Sequence, residues 1–129
     1  MGKQIISSKR APAAIGPYSQ AINVKGSITF TSGQIPIDPD TGNLVSENFE
    51  EQVFQTLENI KGILLERNKT TDDIIKLTVY LVDLSNFDSL NKIFKNYFSN
   101  DFPARSVIEV SKLPKDSKVE IEAIFYDED

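Results

Sequence analysis

The chain contains no cysteine and no histidine. Without cysteine there is no disulfide frame, no thiolate nucleophile and no cysteine metal site. Without histidine, the commonest general base near neutral pH and the commonest metal ligand are both missing. Ser-His-Asp and Cys-His catalysis are therefore excluded, and so are histidine zinc sites. No apolar run approaches the ~20 residues of a membrane-spanning helix. The opening segment MGKQIISSKR lacks the apolar core of a signal peptide, and no polybasic run is present. The formal net charge of −5 argues against a nucleic-acid partner, because phosphate backbones are met by basic patches. These absences together predict a cytoplasmic protein, organelle import left open, with neither nucleic acid nor membrane as partner.

What is present suits one domain spanning residues 1–129, with 40% apolar residues. Lys3 to Ser7 can form a first strand. RAPAAIGPYSQ then brings Pro12, Pro17 and the Gly16-Pro17 pair, which is loop chemistry. Tyr18 sits in that loop, where it either lines a pocket or covers core. Ala21 to Val24 and Ser27 to Thr31 read as strands around Lys25-Gly26, a tight-hairpin signal. Gly33 follows the second strand, either ending it or permitting close backbone approach to a ligand.

Asn48, with Glu51 three residues on, predicts a helix start of capping-box type. Val53, Leu57, Ile60 and Leu64 recur at helical spacing and predict a buried stripe. Ile75, Leu77, Val79 and Leu81 alternate with polar residues, the clearest strand of the chain. Ser85 is expected to cap a second helix, in which Phe87, Leu90, Phe94 and Tyr97 keep helical spacing. Asn91 lies at the edge of this stripe. The order β-β-β-α-β-α-β-β predicts an α+β layer with both helices on one face of the sheet. The uncovered face implies self-association.

Phe102 to Ala123 holds two more strand-like runs. Period-two alternation puts Arg105, Val107 and Glu109 on one face of the first, and Glu120 and Glu122 on one face of the second. A simple hairpin with Glu109 opposite Lys118 sets Arg105 opposite Glu122. Alternatively, the two runs flank a third strand or meet across a subunit contact. A guanidinium grips a small carboxylate through two parallel hydrogen bonds, and a nearby carboxylate can hold a water. The competing reading is a structural ion pair, which contributes little where exposed.

Several segments, in order, resemble the Rid family, also called the YjgF or reactive-intermediate deaminase family. They are APAAIGPYSQA (Ala11 to Ala21), TSGQIPIDPDTG (Thr31 to Gly42), the Lys76–Asp83 strand, Asn91, FPARS (Phe102 to Ser106) and LPKDSKVEIEA (Leu113 to Ala123). The resemblance covers nearly the whole chain. It implies a single-domain chorismate-mutase-like fold, a mixed sheet with two helices on one face, and a homotrimer with sites between subunits. It implies hydrolysis of 2-imino acids, in equilibrium with enamines, to 2-keto acids and ammonia, without cofactor or metal. By the same resemblance, Arg105 grips the substrate carboxylate and Glu122 handles water or protons. Tyr18, Gly33 and Asn91 match pocket positions. Many members carry cysteine two residues after the arginine; here Val107 stands there, which removes any cysteine-derived reactivity. Two other functions compete: a non-catalytic module binding 2-keto acids, and a ribonuclease or translation inhibitor. The acidic charge and the missing histidine oppose the last.

Overall fold

The computed structural model describes residues 2–99 and 101–128. Its elements in chain order are β1 (Lys3–Ile6), β2 (Ala21–Val24), β3 (Ile28–Phe30), α1 (Phe49–Glu66), β4 (Ile74–Leu81), α2 (Phe87–Tyr97), β5 (Ala104–Glu109) and β6 (Val119–Tyr126). The predicted order of strands and helices is the observed one.

Alternation fixes the two faces of the main sheet. Leu77, Val79 and Leu81 of β4 are fully buried, as are Val119, Ile121 and Phe125 of β6. The two strands pair antiparallel, with Leu77 opposite Ala123 and Val79 opposite Ile121, so their apolar residues share one face. Val53, Leu57, Ile60 and Leu64 of α1 pack on that face together with Leu90 and Phe94 of α2. Each such side chain contributes about 1.5–3 kcal/mol by burial. Asn48 starts α1 by accepting from the Glu51 amide at 2.9 Å. The reciprocal half of the box is supplied differently, since the Asn48 amide donates to Ser46 Oγ.

The main sheet has the order β3-β6-β4-β5. β5 runs parallel to β4, with Leu77 opposite Arg105, and β3 runs antiparallel to β6. The sheet is thus mixed and carries both helices on one face. β1 and β2 form a separate two-stranded ribbon.

Three local expectations are corrected. The last two runs do not form a hairpin, because β4 lies between them. β4 and β5 pair parallel, and parallel neighbours need a crossover connection, which α2 supplies. The chain from Val110 to Lys118 then spans the end of β4, where the Val110 amide donates to Leu81 O and the Val82 amide to Lys118 O. The Lys25-Gly26 pair does not close a hairpin either, since β2 and β3 belong to different sheets. Ser85 does not cap α2. Asp83 accepts from the Ser85 amide at 2.9 Å, giving a short 3₁₀ turn (Leu84–Asn86) that leads into the helix.

The other face of the sheet is uncovered by any element among the described residues. Ile28, Phe30 and Ile108 are exposed there, Phe30 by 66%. They share that face with Thr78, Tyr80, Glu120 and Glu122, which occupy the alternate positions of β4 and β6. No helix is long and apolar enough to cross a membrane among the described residues.

Candidate functional site

Arg105 lies on edge strand β5, on the helix-covered face of the sheet. Leu77, its register partner, faces the core. Helix α2 passes over it and supplies Phe87, Asn91 and Phe94. The guanidinium carbon sits 5.3 Å from the ring centre of Tyr18, 5.5 Å from Phe87 and 5.4 Å from Phe94. Such geometry favours a cation electrostatically and holds the planar group in place. Nη1 donates to Asn91 Oδ1 at 2.8 Å. No carboxylate stands within ion-pair distance of Arg105 among the described residues. Desolvation pushes its pKa below the ordinary value, and Tyr18 acts weakly in the opposite sense. A half-buried cation without an acid partner is costly unless an anion arrives to meet it.

The proline-ordered loop is clamped onto the start of β5. The Ser19 amide donates to Pro103 O at 3.0 Å, and Ser19 Oγ donates to Phe102 O. Gln20 gathers the loop behind it, donating from Nε2 to Ser8 O and Pro12 O. These bonds place Tyr18 over Arg105. Gly16 lies against the same group: a Cβ there would come 3.5 Å from Arg105 Nη2 and 3.6 Å from Asn91 Nδ2. The structure therefore joins three of the expected residues, Tyr18, Asn91 and Arg105.

The remaining two lie elsewhere. Glu122 of β6 is on the uncovered face, opposite Thr78, and is separated from β5 by β4. Its Oε1 accepts from the Tyr80 hydroxyl at 2.7 Å, and the carboxylate raises the tyrosine pKa. Within one chain Arg105 and Glu122 point to opposite faces of the sheet, so the expected ion pair does not form. Gly33 meets Glu120, not Glu122. The segment Gly33-Gln34 runs along β6, with Gln34 and Ile121 exchanging backbone hydrogen bonds at 2.8 and 3.0 Å. A Cβ on Gly33 would overlap the Glu120 carboxylate. That carboxylate accepts no hydrogen bond among the described residues. Among those residues no group of three His, Cys, Asp or Glu side chains is arranged to hold a metal ion.

Three contributors escape a reading of the sequence. Phe87 and Phe94 carry the helical spacing of core residues, yet they also wall the guanidinium. Tyr80 and Glu122 meet through the register of β4 on β6, which no local pattern encodes.

The profile of the family described as endoribonuclease L-PSP matches residues 8–126. A RutC family protein of Pyrococcus abyssi is 49% identical, covering 99% of this chain and 100% of that one. The 2-iminobutanoate/2-iminopropanoate deaminase of Salmonella typhimurium is 48% identical over 92% of this chain and 94% of its own. The crystal structure of Escherichia coli TdcF with bound serine superposes with a TM-score of 0.72 at 44% identity, covering 95% of this chain and 97% of that one. With relatives matched end to end at nearly half identity, the chain belongs to the endoribonuclease L-PSP family, the Rid or YjgF family that its motifs resemble.

Proposed function

We propose that this chain is a 2-iminobutanoate/2-iminopropanoate deaminase. The observation that carries the reading is Arg105, a half-buried guanidinium oriented by Asn91 and ringed by three aromatic faces, with no acid of its own among the described residues. A fork of this kind binds a carboxylate bidentately. The relative from Salmonella typhimurium is named for this reaction, and the TdcF structure holds serine, a small carboxylate-bearing molecule.

In the reaction, water adds to the electrophilic imine carbon, and the resulting carbinolamine expels ammonia. A 2-imino acid and water yield a 2-keto acid and ammonia, with the C=N bond broken and a C=O bond formed. No covalent nucleophile is needed, so Val107 in place of cysteine is no obstacle. Arg105 fixes the substrate carboxylate, while Tyr18 and Asn91 shape the pocket. Gly33 offers backbone polarity. Glu122 moves protons, with the Tyr80 hydroxyl as its partner. Glu120 holds the water, since its carboxylate is unengaged and lies against Gly33. General acid–base assistance of this kind is worth about 10²–10⁴-fold.

We further propose a homotrimer. The exposed Ile28 and Phe30 on β3 and Ile108 on β5 stand at opposite edges of the open sheet face, and Glu120 and Glu122 lie between them. Packing that face against a second copy covers these apolar residues and brings one chain's glutamates toward another chain's Arg105, completing a site that a single chain leaves divided. The protein then acts in the cytoplasm, where pyridoxal-phosphate enzymes acting on serine or threonine release such imines. The test is a coupled assay with a serine or threonine dehydratase. Wild-type protein accelerates release of ammonia and keto acid, and Arg105→Ala does not. An Arg105→Ala protein as fast as wild type overturns the assignment.

A further inference from the structure

A cavity of about 400 Å³ opens beside the arginine, between the proline-ordered loop and α2. Gly16 and Asn91 line it, and both also lie against the Arg105 guanidinium. The cavity therefore shares two of its walls with the carboxylate anchor. Lys92, Lys95 and Phe102 line it as well, and no acidic side chain among the described residues does. Neither lysine has an ion-pair or hydrogen-bond partner among the described residues, although Asp88 stands one turn before Lys92 on the same helix. In a chain of net charge −5, two unpaired cations meeting at one cavity make a local reversal of sign.

We propose that this cavity receives the distal carboxylate of a 2-imino dicarboxylic acid, so that diacid imines are a substrate class of the site. The proposal rests on the deaminase reading for turnover, but its binding component stands apart from it. The carboxylate of a 2-imino monoacid is satisfied by Arg105 alone. Two further cations beyond Asn91 exceed what such a substrate needs. Asn91 and Lys95 are four residues apart on α2 and so lie on one face, with about 5–6 Å between their Cβ atoms. The second positive charge thus sits one helical turn from the residue that orients the first. That spacing suits the two ends of a short diacid. Converging charge of one sign in a cleft also raises the local concentration of an anionic ligand. The reaction itself is unchanged: water replaces the imine nitrogen, ammonia leaves, and the second carboxylate takes no part in bond making.

The experiment pairs ligands that differ only by the distal carboxylate. Hydrolysis of 2-iminosuccinate is compared with that of 2-iminobutanoate, each generated in situ, for wild type, a Lys92→Ala/Lys95→Ala protein and a Lys92→Arg/Lys95→Arg protein. The alanine variant is expected to lose about tenfold in kcat/KM toward the diacid, the scale of two partly exposed charge pairs. The monoacid should stay within about twofold, and the arginine variant should restore the diacid. Equal effects on both substrates, or no effect on either, overturn the proposal. In parallel, calorimetry compares 2-oxoglutarate with 2-oxopentanoate. Tighter diacid binding by wild type, abolished in the alanine variant, supports the cavity as a diacid subsite. Equal binding of the two overturns it, whatever the enzyme assays give. If both imines decay at their uncatalysed rates, the deaminase reading fails, and the calorimetry still decides the cavity.

Discussion

Arg105 Nη1 donates to Asn91 Oδ1 at 2.8 Å, so the guanidinium is oriented by a neutral partner rather than neutralised by an acid. This choice keeps the positive charge available. Asn91→Asp would place a carboxylate where the amide oxygen now stands and fill the anchor with an internal anion. The expected outcome is a folded protein whose kcat/KM toward 2-iminobutanoate falls about tenfold to a hundredfold, mainly through KM. That range corresponds to a charge-assisted hydrogen bond of about 1.5–3 kcal/mol. Steady-state ammonia release with a parallel melting curve checks it. Unchanged kinetics in Asn91→Asp would remove Asn91 from the anchor.

Gly33 makes the second relationship testable. A methyl group there would collide with the Glu120 carboxylate, which is the far end of a flexible side chain. Gly33→Ala should therefore displace Glu120 at little cost to the fold. Because Glu120 is assigned to the water, kcat should fall while KM for the imino acid stays near wild type. Glu120→Gln should reproduce the defect. Should Gly33→Ala leave kcat intact, the water belongs to Glu122 alone.

The elements were legible because their signals are local. The stripe Val53, Leu57, Ile60, Leu64 and the alternation of Leu77, Val79, Leu81 each report a period and a buried face, and all seven side chains are buried. Strand order is a different kind of information. Arg105 and Glu122 read equally well as neighbours in a hairpin or as residues on strands flanking a third. The observed order puts β4 between β5 and β6, with α2 as the crossover that joins β4 to its parallel neighbour β5. Arg105, Asn91 and Tyr18 were legible as candidates, but their meeting depends on Ser19 tying the loop to Phe102 and Pro103. Which β6 glutamate Gly33 approaches follows from the Gln34–Ile121 bridge, which has no signature along the chain.

The opposite faces of Arg105 and Glu120 yield a prediction about assembly. If each active cleft takes its arginine from one subunit and its glutamate from another, two inactive proteins can repair each other. Arg105→Ala and Glu120→Gln chains, each inactive alone, are unfolded together and refolded in equal amounts. Random mixing in a cyclic trimer pairs an intact arginine with an intact glutamate in about a quarter of the clefts. Activity should recover to about a quarter of wild type. No recovery would place a complete site within one chain. Phe30→Asp, which puts a charge on the exposed sheet face, should yield monomers by light scattering and abolish activity in the same preparation.

The acid limit of stability is set in part by Asp127 at the end of β6. Its Oδ2 accepts from Thr29 Oγ1 and from Arg67 Nε, the latter at 2.9 Å, and its side chain is almost fully covered. The Thr29 hydrogen bond first, and then the one from Arg67, hold its pKa below the ordinary carboxylate value. A carboxyl whose pKa is lower in the folded than in the unfolded state stabilises the fold fully above the unfolded value, near 3.9. That contribution is lost as the pH falls through the folded value, where the native carboxylate takes up its proton. Asp127→Asn keeps the shape but removes the charge that Arg67 and Thr29 address. Denaturation midpoints should therefore drop for Asp127→Asn at pH 7, while the gap to wild type narrows as the pH is lowered below about 4. A gap that stays constant from pH 7 down to the acid transition would mean that Asp127 acts through packing and not through its charge.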